Sequence, residues 1–142
     1  MAAVPVQWLI DSRSRLVLVT ARVLCLLRRL AFVSSIMVLA MLAWLPAHAM
    51  TRTTLGGHTE HLIAYLATTI AMGLAFPASP RLAVQGTLLI GYAAILEVGQ
   101  LQAPGRHASF DDFAFSAAGV AIGGLCLWVA RARLSAVRDM RG

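Results

Sequence analysis

At 142 residues, 59% hydrophobic and 13% charged, with a mean hydropathy of +0.77, the chain is too apolar and too sparsely charged for an ordinary water-soluble domain of its size. The formal charge of +6 comes from twelve arginines against six acids. Most of those arginines stand at the ends of apolar runs, not in a polar stripe with interleaved aromatics, which favours lipid-flanking anchors and argues against a nucleic-acid partner.

Residues 1–29 come first, a stretch rich in Leu and Val interrupted by Arg13, Arg15, Arg22, Arg28 and Arg29. This pattern predicts a basic interfacial helix lying ahead of the first span. Four segments then have the length and apolarity to cross a hydrocarbon core of about 30 Å, which needs about 20 helical residues. They run approximately over Leu30–Ala49, Thr59–Phe76, Leu82–Leu101 and Phe110–Ala130. Thr51-Arg-Thr-Thr-Leu-Gly-Gly57, Pro77-Ala-Ser-Pro80 and Gln102-Ala-Pro-Gly-Arg-His-Ala108 punctuate them. Each break is short, so consecutive helices are expected as antiparallel neighbours. The Arg-rich residues 131–142 are read as a tail.

The expected fold is therefore an all-α membrane protein, a bundle of four transmembrane helices with a basic N-terminal interfacial segment and the lipid bilayer as its first partner. Ten arginines fall on one side of the ladder and only Arg52 and Arg106 on the other. The arginine excess marks the cytoplasmic side, so both termini are expected there. Arg28-Arg29, the run Leu30–Leu45 and Ala47-His-Ala49 also have the form of a cleaved leader. The basic end is unusually long for one, so retention is expected. Cys25 and Cys126 lie far from any CxxC or His/Cys spacing. Both read as small packing residues, and no metal site or cofactor motif is expected.

The polar residues carry the functional reading, because an ionisable group inside a membrane segment is costly and asks for a partner, water or a role. His61 begins the second span, Glu97 and Gln100 lie in the last turns of the third, and Asp111 and Asp112 open the fourth. Antiparallel threading brings all of them to one level, with Arg106 in the adjoining loop. Glu97 is expected to pair with Arg106 or a protonated His61, or to take up a proton. Its alternative is a buried ion pair that only fixes helix register.

Gln100 shares its face at i+3, and Tyr65 stacks below His61 at i+4. Glu60 is read as a partner of the helix dipole. Ser109 and Asp112 have the spacing of a capping box. Gly119 and Gly123 form a GxxxG face expected to pack closely on another helix. The hydroxyls of Thr68 and Thr69 are expected to bond to their own helix.

Taken in order, Glu60-His-Leu-Ile-Ala-Tyr65, Tyr92-Ala-Ala-Ile-Leu-Glu97-Val-Gly-Gln100, Pro104-Gly-Arg-His-Ala-Ser-Phe-Asp-Asp112, Gly119 and Gly123 resemble the VanZ-like family, named for teicoplanin-resistance protein Z. The likeness covers residues 60–124. It implies a small multi-helix protein of the bacterial cell envelope whose recurring polar positions correspond to His61, Glu97, Gln100, Arg106 and Asp112. The chain departs from the pattern at Gly57-His58, where the family often has Asp-Lys, and at Ser116, where it has Asn. Resistance to a glycopeptide antibiotic is not carried over by the likeness.

Two functions follow as expectations for a protein of the bacterial cytoplasmic membrane. In one, the outer-leaflet cluster binds or modifies an anionic, lipid-linked envelope component, with Glu97 and His61 as acid and base, Asp112 orienting, Arg106 clamping the anion, and Gln100, Tyr65 and Asp111 binding. In the other, the chain is a scaffold or helper of another membrane protein and the cluster is structural. Whether any reaction is catalysed stays open between them.

Overall fold

A computed structural model describes residues 6–49, 54, 56–77 and 81–140, with side chains from Arg15 onward. Arg52, Arg141, most of the first interhelical break and Ala78-Ser-Pro80 lie outside the described residues. Four helices follow in chain order: α1 over Val6–Trp44, α2 over Gly57–Ala75, α3 over Leu82–Gly99 and α4 over Phe110–Asp139. Short 3-10 turns at Ala47–Ala49 and Gln100–Gln102 extend the ends of α1 and α3. No strand occurs among the described residues.

The stretch 30–130 divides much as the apolar runs predict, but α1 and α4 are longer. α1 is one helix of 39 residues, about 58 Å at 1.5 Å per residue. It passes position 30 without a break because no Gly or Pro occurs between Val6 and Trp44. Pro46, which cannot continue a helix, follows its end. α4 likewise runs through Arg131, Arg133 and Arg138 into the stretch read as a tail.

Three segments, Arg15–Trp44, Leu82–Gln102 and Phe110–Asp139, are long and apolar enough to cross a membrane. Their outer faces carry large exposed apolar side chains, among them Met37, Leu88, Ile95, Leu125 and Trp128. Such a surface suits lipid and not water, so the molecule is compatible with a multi-pass membrane protein. α2 has 19 residues and opens on the polar residues His58, Glu60 and His61. It packs most extensively of the four on its neighbours.

The tightest pair is not sequential. α2 packs most closely on α4, α1 and α3 each pack on one of this pair, and α2 and α3 touch less. The cause is the glycine face of α4. A Cβ on Gly119 would run into the backbone of Leu62 and Leu66, and one on Gly123 would lie 2.8 Å from the Thr69 Cβ. Only hydrogen at those positions lets the two backbones approach this far. Below them Leu127 presses on Gly73. The core is thin, with Tyr65, Leu89, Ala93 and Val120 surrounded by Phe32, Ile36, Leu39 and Phe113. The Tyr92 hydroxyl ties α3 to α1 by donating to the Ile36 carbonyl at 2.8 Å, and the hydroxyls of Thr68 and Thr69 bond back to Ala64 and Tyr65 of their own helix.

Two levels mark the ends of this core. At one, the Arg29 guanidinium lies 5.9 Å from the Phe76 ring centre, Phe32 meets the same ring edge-on, Arg131 reaches the Gly73 carbonyl at 3.5 Å, and Arg81 precedes α3. The other holds the C-terminal ends of α1 and α3 and the N-terminal ends of α2 and α4. The α2 helix connects the two levels, and its length corresponds to about 28 Å, close to the thickness of a hydrocarbon core.

Candidate functional site

The second level holds the polar residues. Glu97 sits one turn before the end of α3, buried at 8% exposure. It does not meet Arg106. Its Oε1 accepts the Ser109 backbone N–H at 2.6 Å, an unpaired donor at the start of α4 that carries the positive end of that helix. The expected pairing is thus replaced by a bond to a helix N-terminus.

That bond changes the cap. Ser109 accepts the Asp112 N–H on its hydroxyl at 3.4 Å, which is half of a capping box. In the full box the acid three residues on would take the Ser109 N–H, but Glu97 already holds it. The Asp112 carboxylate faces two histidines of α2 instead, with Oδ1 3.6 Å from His58 Nε2 and Oδ2 4.0 Å from His61 Nε2. His58 also stacks on Phe115, with ring centres 4.9 Å apart and planes 6° from parallel.

Ser116 completes the arrangement. Its hydroxyl is 1% exposed and donates to the Asp112 carbonyl at 2.9 Å. With that proton committed, His61 Nδ1, 3.2 Å from the same oxygen, is the donor in their contact. The tautomer follows from this: Nδ1 carries hydrogen and Nε2 is turned toward Asp112. Its Nε2 then lies 4.0 Å from the Asp112 carboxylate with its lone pair free to accept a hydrogen bond.

Arg106 is held by a turn. Ala103, Pro104, Gly105 and Arg106 form a bend closed by Arg106 N–H to the Ala103 carbonyl at 3.1 Å. Gly105 stands at φ +73°, the left-handed position that a type II turn reserves for glycine after proline. The loop is further tied to the end of α1 by Ala47 N–H to the Pro104 carbonyl at 3.3 Å. From this turn Arg106 Nη2 donates to the Leu42 carbonyl at 3.0 Å, one of the last carbonyls of α1 that have no partner within the helix. Its Nε is buried and makes no hydrogen bond.

Between these groups lies a cavity of about 100 Å³, open on one side and lined by His61, Tyr65, Glu97, Gln100, Arg106 and Asp112, with Glu60 at its edge and Leu39, Leu42 and Ala43 of α1 as an apolar wall. It is smaller than the roughly 150 Å³ cavity that admits a benzene ring in an engineered protein interior. A group of a few heavy atoms fits within it. Tyr65 and Gln100, both 3% exposed, line this space and have no side-chain hydrogen bond to any described residue.

Six of the seven residues picked from sequence meet here. Asp111 does not: it is exposed on the first turn of α4 and lines no part of the cavity. Glu60 is closer to the site than a dipole partner need be. His58 and Ser116, absent from the expected set, belong to the network. A signal for Ser116 existed, since it lies one turn before Gly119 on the α2-facing stripe Asp112, Ser116, Gly119, Gly123 and Leu127, spaced by three and four residues. Among the described residues no group of three metal-ligating side chains is assembled.

Fold and cavity together define, over the described residues, an all-helical protein with three helices long and apolar enough to cross a membrane and a polar recess at one end. No family model matches the chain, and neither a curated protein nor a solved structure is similar to it.

Proposed function

We propose that the chain is a four-crossing protein of a bacterial cytoplasmic membrane, VanZ-like in its polar pattern, whose outer-level cavity binds or chemically modifies the polar head of a lipid-linked envelope component. The cavity itself carries this reading. The side chains of Gln100 and Tyr65 line an open space without a protein partner and the buried Arg106 Nε beside them is unpaired, whereas a purely structural network would close on itself. In this role His61 is the proton acceptor, oriented by Ser116 with Asp112 beside it, and Glu97 and Gln100 position the ligand.

Arg106 fits an anion clamp less well than its sequence position suggests. Its Nη2 is engaged by Leu42, and three carboxylates, Glu60, Glu97 and Asp112, line the same space. The electrostatic preference moves away from a strongly anionic group. The test is replacement of the gene by one encoding Glu97→Gln, followed by mass-spectrometric profiling of envelope lipids and lipid-linked precursors. The reading predicts the profile of a deletion strain at normal protein abundance. A wild-type profile at normal abundance contradicts it.

The bonds from Glu97 to Ser109 and from Arg106 to Leu42 favour a second reading, a scaffold or helper subunit in which these residues join three helix ends. In that case Glu97→Ala lowers abundance, and whatever protein remains is fully functional.

A further inference from the structure

Glu97 is a buried carboxylate with one backbone donor and, among the described residues, no ion pair. Removing a carboxylate from water costs several kcal/mol unless a countercharge or several donors replace the solvent. Its Oε1 is taken by Ser109, and the residue lines the cavity. Gln100, 3% exposed and without a side-chain partner, lines the same cavity, as does Tyr65. Three groups able to accept a hydrogen bond therefore line one small space, the Glu97 carboxylate, the Gln100 amide and the Tyr65 hydroxyl, and the carboxylates on that lining, Glu60, Glu97 and Asp112, outnumber its one guanidinium, Arg106, which is turned to the Leu42 carbonyl.

From this geometry we propose that the group entering the cavity is a primary ammonium, as carried by an ethanolamine lipid head or a small soluble amine. This rests on the reading of the cavity as a ligand site and names what it takes. A primary ammonium presents three N–H donors and one positive charge, matching three acceptors of which one is a carboxylate. A phosphate would set like charges against Glu97. A trimethylammonium has the charge but no N–H, and leaves Gln100 and Tyr65 unbonded.

The full chain in detergent micelles, given phosphatidylethanolamine, phosphatidylcholine and phosphatidylglycerol of identical acyl composition, is read by native mass spectrometry. Ethanolamine lipid is expected to be retained about tenfold over the other two, the scale on which a buried charge contact discriminates. Glu97→Gln brings retention down to the choline level. Gln100→Ala, which leaves all charges in place, lowers it several-fold and serves if the first variant does not fold. Free ethanolamine added in choline-only micelles separates the sources: a raised melting temperature means that the amine alone suffices, and an unchanged one assigns the site to the lipid.

Retention of phosphatidylglycerol equal to or above that of the ethanolamine lipid overturns the proposal, as does ethanolamine selectivity that survives both substitutions. An envelope profile altered by Glu97→Gln, together with phosphatidylglycerol preference, leaves the proposed function standing and removes only the ammonium. Ethanolamine selectivity with an unaltered profile does the reverse.

Discussion

The Ser116 hydroxyl is bonded on both sides, donating to the Asp112 carbonyl and accepting from His61. Ser116→Ala leaves His61 Nδ1 without its partner in a partly buried setting, a loss of about 1 kcal/mol. Thermal unfolding in detergent micelles is expected to show a lowered melting temperature, while Asp111→Asn, exposed and outside the network, changes it little. Equal effects of the two contradict a stabilising bond between His61 and Ser116. Arg106→Ala uncaps the last turn of α1 and loosens the loop that carries Ser109, leaving the Ala47–Pro104 bond to hold it. Its expected result is faster proteolysis within residues 103–109, measured by limited digestion of the purified protein, with Arg106→Lys intermediate because it can reach one carbonyl but lacks the planar fork. Cleavage unchanged from the parent chain contradicts the latch.

At this scale the membership of the site was legible and its pairings were not. Helix rise along the sequence gives the depth of His61, Glu97, Gln100 and Asp112, and depth alone brings them to one level. Which atoms bond depends on how far each helix is rotated, and nothing local in Leu96-Glu97-Val98 says that Glu97 turns to the start of α4 instead of to Arg106. Once it does, Asp112 is released from its expected cap and turns to the histidines.

Among the elements, the contact between α2 and α4 organises the rest. It sets Ser116 against His61, and it depends on Gly119 more than on any other residue. Gly119→Ala introduces a methyl group where the α2 backbone already lies, and overpacking of this kind costs about 1–3 kcal/mol. Gly124→Ala is the matched control, since a Cβ there meets nothing. Gly119→Ala is therefore expected to lower the melting temperature in micelles, with Gly124→Ala within error of the parent. A tolerated Gly119→Ala contradicts the packing. The GxxxG spacing announced a close contact but not its partner. Short breaks pointed to sequential neighbours, and the actual partner is the helix whose Leu62, Leu66 and Thr69 meet the glycine face. The helical course of residues 6–29 is continuous with the first apolar run, because charged arginines interrupt hydrophobicity without interrupting helix formation.

For the whole molecule, the central claim is that α1 to α4 thread a bilayer so that the loops before α2 and before α4 share one face and the far end of α4 emerges at the other. Three helices have the apolarity to cross unaided. α2, with a polar first turn and buried threonines, crosses in this account because the others shield it, a property invisible to a hydropathy window. The direct measurement replaces Cys25 and Cys126 by serine, introduces single cysteines as His48→Cys, His107→Cys and Ser135→Cys, and labels intact cells with a membrane-impermeant maleimide. The account predicts labelling of the first two from outside and of the third only after permeabilisation. Labelling of positions 48 and 107 from opposite sides would place Glu97 and His61 at different faces and contradict the site.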